Sequence, residues 1–270
     1  MNGIRNVEHN EYAVLSQFYD LEYSVFDADL DMYRQFAERA RGPILELGCG
    51  TGRVLEAFDG IDYPIVGIDT SNAMLEIARP RIPETVTLVQ RDMRDCDAEP
   101  ALPNGPFSFV LSAINTFLHL PDVRSQIETL ESVRAVTAPG GIMLLDLFVP
   151  DPTLISSLNG QLSLEFQHVF DNRERLDKWV ARTHDLASQL IQTTVYFDVT
   201  HPDGSVQRLV DYYSTRYVHL YELEHLLSRT GWDLVSLFGN YDLEPFSSES
   251  ERILALATPR SDVQTGKTDD

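Results

Sequence analysis

The fold of this chain is decided by residues 44–53, which read Ile-Leu-Glu-Leu-Gly-Cys-Gly-Thr-Gly-Arg. The apolar run predicts a buried strand, and the glycines at positions 48, 50 and 52 predict a tight loop that leads into a helix. A loop of this kind points backbone N–H groups at a ligand lying across it. The third glycine comes one residue earlier than in the dinucleotide-binding fingerprint. Glu46 would repel a pyrophosphate, so the loop suits a ligand that carries a cation.

Composition narrows the class of partner. The 270 residues include 42 acidic and 21 basic side chains, which give a formal net charge of −21. Because such a surface repels phosphate backbones and anionic lipid, we expect no nucleic-acid and no membrane partner. The start of the chain lacks an apolar signal core, and no apolar run is long enough to span a bilayer. Cys49 lies inside the glycine loop, where a disulfide would obstruct a ligand, so reduced thiols and a cytoplasmic location are expected.

The order of strand and helix patterns predicts an α/β fold with an insertion. Five apolar runs alternate with helical patterns between residues 44 and 148, which implies right-handed crossovers and a parallel sheet covered on both faces. Pro139-Gly140-Gly141 is predicted as a turn before the fifth strand, 142–147. From residue 162 to 219, four strand-like runs follow one another without helices between them. Their alternation, with a tight turn at Pro202-Asp203-Gly204, predicts an inserted antiparallel sheet.

Acidic residues recur where the predicted parallel strands end, which is where ligands bind in open α/β sheets. Asp69 ends the second strand, and its carboxylate is placed to accept hydrogen bonds from both hydroxyls of a ribose. Asp92 follows the third strand; it can accept from an adenine amino group while the Met93 backbone N–H donates to a ring nitrogen. The alternative interpretations are a helix cap for Asp69 and an ordinary loop aspartate for Asp92.

Several motifs together resemble the class I S-adenosylmethionine-dependent methyltransferases. Residues 46–52 resemble motif I of that family, 67–69 its next acidic motif and 91–93 its adenine-contacting motif. Residues 112–117 fall at the fourth-strand position beside the transferable methyl group, and 138–141 precede the fifth strand as in the family. The resemblance implies S-adenosyl-L-methionine as cofactor and a Rossmann-like, doubly wound, seven-stranded methyltransferase sheet with an inserted antiparallel β subdomain.

The residue patterns along the chain also predict a domain organisation. The predicted parts are an N-terminal helical lid over 1–40, a cofactor-binding α/β core over 41–150, an antiparallel β insert over 151–219, a C-terminal helix and strands that complete the core over 220–260, and a disordered tail over 261–270. The insert is expected to shape the acceptor pocket, to form a subunit contact that allows a homo-oligomer, or to do both.

Site residues are carried over position by position. Glu46, Gly48 and Gly50 would face the methionine part of the cofactor, Asp69 the ribose, and Asp92 with Met93 the adenine. The full predicted cofactor-binding set is Tyr19, Glu46, Gly48, Cys49, Gly50, Asp69, Thr70, Met74, Asp92, Met93 and Ala113. The predicted catalytic set is Tyr19, Phe117 and His119. No metal site is predicted.

The aromatic residues are placed near the sulfonium for a physical reason, and His119 and Met74 each have an alternative interpretation. Tyr19, Tyr23 and Phe117 would form an aromatic wall around the sulfonium and the acceptor, because aromatic faces favour cationic groups. His119 is either a general base or a buried, hydrogen-bonded histidine behind the pocket. Met74 either packs on the adenine or belongs to the core.

The predicted reaction is in-line methyl transfer to a small molecule, most readily to an amine nitrogen of a natural product or metabolite. The fourth-strand motif has no proline, unlike the motif typical of enzymes that methylate nucleic-acid bases. The closest resemblance is to glycine-type, amino-sugar and lincosamide antibiotic N-methyltransferases. The alternatives are a small-molecule O-methyltransferase, a non-catalytic cofactor-binding subunit and, disfavoured by Glu46 and the glycine spacing, a nicotinamide dehydrogenase.

Overall fold

The computed structural model describes residues 12–24 and 26–261, so most of the predicted tail lies outside the described residues. The strands are β1 Ile44–Leu47, β2 Ile65–Asp69, β3 Val86–Gln90, β4 Phe107–Ser112, β5 Thr137–Phe148, β6 Asn159–Val169, β7 Arg175–Asp185, β8 Leu190–Thr200, β9 Val206–Arg216, β10 Trp232–Phe238 and β11 Arg252–Pro259. The α-helices are α1 Leu15–Tyr23, α2 Leu30–Ala40, α3 Arg53–Ala57, α4 Asn72–Ala78, α5 Val123–Val136, α6 Pro152–Ser157 and α7 Leu220–Arg229.

A seven-stranded sheet in the order β10-β11-β5-β4-β1-β2-β3 forms the centre of the molecule. Strands β3, β2, β1, β4 and β5 pair in parallel, and β11 pairs antiparallel with both β5 and β10. One face packs on α5 and α7, and the other packs on α2, α3 and α4. The predicted doubly wound α/β fold is therefore confirmed. Because β1 pairs with β2 on one side and β4 on the other, the strand order reverses at β1, where a ligand crevice is expected.

The turn predicted at Pro139-Gly140-Gly141 is wrong, because these residues lie within β5. The register between β4 and β5 jumps from Phe107↔Thr137 to Phe109↔Ile142, so the glycines form a bulge. Gly140 takes the positive φ (+76°) that the bulge requires. The sequence pattern of a turn and that of a glycine-rich bulge are alike, and pairing with a neighbouring strand decides between them.

The predicted insert is a separate antiparallel sheet in the order β6-β7-β8-β9. Its inner face buries Leu176, Val180, Val195 and Phe197 against the apolar side of α1. The turn predicted at residues 202–204 joins β8 to β9, where the Ser205 carbonyl accepts a 2.9 Å hydrogen bond from the His201 N–H. The four predicted runs extend to residue 219, whereas the last strand of the insert, β9, ends at Arg216.

Helix α1 spans the gap between the α/β core and the insert. The Asp20 carboxylate accepts a 2.7 Å hydrogen bond from the Thr51 hydroxyl on the core side. On the insert side, Glu22 forms an ion pair of 2.6 Å with Lys178. Of the segment predicted as a lid, α1 thus covers the crevice. Helix α2 instead packs its buried side chains into the core.

Within the described residues, none of the helices combines the length and the apolar character that crossing a membrane requires.

Candidate active site

A cavity of about 460 Å³ lies at the carboxyl ends of the parallel strands, between α1 and the insert. A smaller chamber of about 40 Å³ lies beside it, under the glycine loop. Both are lined by Tyr19, Gly48, Gly50, Ile114 and Thr116, so the two spaces adjoin across the loop. Glu46, Cys49 and Ala113 line the smaller chamber, whereas Asp69, Thr70, Met74, Met93 and His119 line the larger one. The structure thus brings together all the predicted site residues except Asp92 and Phe117.

The glycine loop owes its shape to two positions that no other residue could fill without strain. Gly48 has φ of +62°, and a Cβ atom there would lie 2.3 Å from Thr116 Cγ2. Gly50 has φ of +54° and faces open space, with Met74 Sδ at 4.0 Å from a built Cβ. The loop therefore packs tightly on the turn after β4 and leaves its other side open to a ligand.

Glu46 is a buried carboxyl group whose Oε2 atom has no hydrogen-bond partner among the described residues. Burial raises the pKa of Glu46 to about 8, although the nearby Arg53 guanidinium acts in the opposite direction. Arg53 does not neutralise Glu46 fully, because the guanidinium of Arg53 forms an ion pair with Asp29, to which Nη1 donates a 3.0 Å hydrogen bond. A buried polar atom left unpaired is costly, and a ligand cation in the small chamber would satisfy it.

Asp69 is held in place by backbone amides. Its carboxylate accepts hydrogen bonds from the N–H of Gly50 at 2.9 Å and of Ser71 at 2.8 Å. Burial raises its pKa, and these amides limit the shift. Ser71, rather than Asp69, caps α4, with its Oγ accepting from the Met74 N–H. Since a carboxylate offers about four acceptor sites, Asp69 retains capacity for a diol.

Asp92 is not among the residues that line the cavity, although its neighbours Arg91 and Met93 are. Its carboxylate caps the short turn that follows and pairs with Arg94, 2.6 Å from Nη2. Burial opposes ionisation, but the Arg94 hydrogen bonds outweigh it and hold the pKa of Asp92 below its usual range. At this end of the cavity, Thr70, Met74, Arg91 and Met93 supply the lining instead.

Phe117 does not line the cavity either, because it is fully buried in the core under the sheet. Tyr19, by contrast, lies between the two spaces and stacks on Tyr23, with ring centroids 4.5 Å apart. Burial raises the pKa of Tyr23 to about 12 and that of Tyr19 well above its usual value, so both rings are neutral at physiological pH. Of the three residues predicted for the aromatic wall, Tyr19 and Tyr23 of α1 therefore line the cavity and Phe117 does not.

His119 lines the cavity, and its side chain is half-buried. Its Nδ1 atom shares a 2.9 Å hydrogen bond with the Tyr12 hydroxyl, and its ring lies 5.5 Å from that of Tyr213. Burial lowers the pKa of His119 to about 4. The ring is therefore neutral at pH 7, and it holds an added proton poorly.

The insert supplies lining residues that the sequence reasoning did not assign. Lys178 and Arg182 on β7 line the cavity, and they are paired with Glu22 and Glu165 respectively. Thr193 and Tyr213 lie beside Arg182 on the next two strands. One signal for Lys178 was available in the sequence. It is the sole lysine among the first 266 residues, and it lies between Leu176 and Val180 in the alternation of a predicted strand.

A family model described as a methyltransferase domain matches residues 44–141, which span β1 to the bulge in β5. This chain is a methyltransferase. S-adenosylmethionine is its cofactor, and the unpaired Glu46 carboxyl beside an open glycine loop fits a ligand with a cationic end.

Known proteins similar to this methyltransferase agree with that assignment. The putative methyltransferase YqeM of Bacillus subtilis is 26% identical over 255 residues, covering 87% of this chain and 94% of YqeM. The dTDP-4-amino-2,3,4,6-tetradeoxy-D-glucose N,N-dimethyltransferase of Saccharopolyspora spinosa is 27% identical over 162 residues, covering 60% of this chain and 59% of that enzyme. The structure of the CcbJ methyltransferase from Streptomyces caelestis superposes with a TM-score of 0.73 at 21% identity, covering 93% of this chain and 97% of CcbJ, and shows the shared fold.

Proposed function

We propose that this methyltransferase transfers a methyl group to an amine nitrogen of a small natural product or metabolite. When bound, S-adenosylmethionine supplies an electrophilic methyl group on a cationic sulfur. In this proposal Glu46 accepts from the ammonium group of the methionine part, and Asp69 accepts from the ribose hydroxyls. Thr70, Met74 and Met93 contact the adenine, and Tyr19 presents its ring beside the sulfonium.

The observation that carries the choice of nitrogen is the low basicity of His119. A hydroxyl acceptor usually needs a base to take its proton, whereas an amine needs only a free lone pair. With its pKa lowered to about 4 by burial, His119 is a weak base at neutral pH. Apart from Asp69, two carboxylates line the cavity among the described residues. Glu22 is paired with Lys178 at 2.6 Å, and Asp151 caps α6 by accepting from two backbone N–H groups of that helix. The lining therefore suits an acceptor that brings its own lone pair.

The size and closure of the cavity support a small acceptor. About 460 Å³ falls within the range of small-molecule sites, and cofactor and acceptor must share it. Helix α1 covers the site from above, which limits access of water while the two reactants are aligned. Since charge is dispersed during the transfer, a dry and well-aligned site favours the reaction without an acid or base.

The S. spinosa relative, named as an N,N-dimethyltransferase of an amino sugar, is consistent with this proposal. The similarity covers 60% of this chain, and the acceptor is identified by the measurement below.

The test is a screen of the purified protein with methyl-labelled S-adenosylmethionine. Acceptors are offered as matched pairs, an amino sugar or amino acid beside its hydroxyl analogue, with polyketide-like alcohols added, and products are located by mass spectrometry. We expect label on nitrogen only. Label on oxygen would instead support the O-methyltransferase alternative, and no consumption of cofactor with any acceptor would support a non-catalytic subunit.

The variant His119→Gln separates the nitrogen and oxygen alternatives further. For an amine acceptor we expect its turnover to stay within several-fold of wild type. A loss of about 10²-fold or more, the usual contribution of a general base, would contradict the proposal.

A further inference from the structure

The turn that follows β4 holds an unusual backbone conformation at the junction of the two chambers. Ile114 has φ of +34° and Asn115 has φ of +64°. Positive φ is rare for a β-branched residue such as Ile114, and such strain persists only where the surroundings impose it. The turn lines both chambers, and the methyl group of Thr116 lies against Gly48.

Two β5 groups and one side chain hold this turn. The Asn115 N–H donates to the Asp146 carbonyl at 2.8 Å, and the Asn115 Oδ1 accepts from the Phe148 N–H at 2.7 Å. Arg252 Nη2 also donates to Asn115 Oδ1, at 3.3 Å. The side chain of Asn115 is therefore fixed by the same strand pair that anchors its backbone.

Arg252 is in turn fixed by Asp146, which is fully buried. Arg252 pairs with Phe148 across β11 and β5, so Arg252 and Asp146 are diagonal neighbours on one face of the sheet. The Asp146 carboxylate accepts from Arg252 Nε at 2.8 Å, from the Tyr241 hydroxyl at 3.1 Å and from the Tyr33 hydroxyl. A carboxylate with this many donors is a rigid anchor for the guanidinium.

We propose that the Asp146–Arg252 pair is a positioning device that holds the left-handed turn against the glycine loop. The pair touches neither chamber itself, because neither Asp146 nor Arg252 is among their lining residues. It acts through Asn115, and it thereby fixes the turn after β4, which forms the floor of the site where cofactor and acceptor meet. This inference rests on the proposed function, in which that floor is the site of methyl transfer.

The test is a double-mutant cycle read by calorimetric binding of S-adenosylhomocysteine. Arg252→Gln removes the guanidinium that donates a hydrogen bond to Asn115. Ile114→Gly removes the backbone strain that, in our proposal, this hydrogen bond helps to hold in place. We expect Arg252→Gln to weaken binding about tenfold, or about 1.4 kcal/mol, when Ile114 is present. In the Ile114→Gly background the same change should weaken binding less than about twofold. Equal losses in both backgrounds would overturn the inference, because a merely structural role of Arg252 would not depend on residue 114.

Controls keep the outcome interpretable. Arg260→Gln, at an exposed pair with Asp233 beyond the end of the same strand, should leave binding unchanged. Should Arg252→Gln fail to fold, Arg252→Lys keeps the charge beside Asp146 but cannot also reach Asn115, and the same pair of backgrounds applies. Absence of binding by the wild-type protein would refute the cofactor placement in the proposed function, whereas binding with equal losses refutes only the positioning role.

Discussion

Replacing Glu46 with glutamine should weaken cofactor binding without weakening the fold. Glu46 is buried, and one of its oxygens has no partner among the described residues. In our account a ligand ammonium supplies that partner. A hydrogen bond between charged groups contributes about 1.5–3 kcal/mol, so we expect the dissociation constant of S-adenosylhomocysteine to rise about 10- to 100-fold.

The pH dependence of binding follows from the same group. In the free protein the pKa of Glu46 is raised to about 8, so at pH 7 about nine-tenths of the molecules carry a neutral carboxyl there. Binding a cation requires the ionised form, and so it should release about 0.9 proton at pH 7. Affinity should then increase as pH rises towards 8, by up to about tenfold per unit.

Stability should show the opposite sign. Because the pKa in the folded protein lies above its ordinary value of 4.5, this group favours folding at low pH, and its contribution is lost as pH rises towards 8. Glutamine cannot ionise, so Glu46→Gln should be at least as stable as wild type above pH 8.

The assay is titration calorimetry in buffers of different ionisation enthalpy, with thermal melts beside it. Glu76→Gln, at an exposed carboxylate that bonds Asn72, is the matched control and should change neither quantity. Unchanged affinity in Glu46→Gln, or proton release near zero at pH 7, would refute the placement of a cation beside Glu46.

Two further predictions test the loop and the lid. Gly48→Ala should abolish S-adenosylhomocysteine binding, because its Cβ atom would lie 2.3 Å from Thr116 Cγ2. The control Gly140→Ala has φ of +76° but no atom within 4 Å of the new Cβ, so it should cost only about 1–2 kcal/mol of stability and leave binding intact. Equal effects of the two variants in calorimetry and thermal melts would contradict this. Asp20→Ala removes the partly exposed contacts of α1 with Thr51 and Arg81, so S-adenosylhomocysteine should dissociate about two- to fivefold faster in stopped-flow measurements. The control Glu38→Ala removes an exposed ion pair within α2 and should have no effect. An unchanged rate in Asp20→Ala would show that α1 does not limit release.

Features that depend on neighbouring residues in the sequence were predictable. The glycine loop and Asp69 follow directly from a strand, its end and the next helix, and the structure brings them to one cavity. The antiparallel insert was equally visible, because strands without intervening helices leave few alternatives.

Features that depend on distant contacts were not predictable. Asp146 meets Tyr33 and Arg252 across separations of 113 and 106 residues, which local patterns do not report. Phe117 was assigned to the pocket from its place in the chain, but the short turn after β4 rotates it into the core. Asp92 was assigned from a motif, whereas in the structure its carboxylate pairs with Arg94, two residues further along the chain.

The most direct test of the account is a crystal structure of the protein with S-adenosylhomocysteine. We expect the amino group of the ligand to lie within hydrogen-bonding distance of Glu46 in the small chamber and its ribose hydroxyls to contact Asp69. We also expect Ile114 and Asn115 to keep their positive φ angles. A ligand bound with its adenine end in the small chamber, or with its amino group away from Glu46, would contradict it.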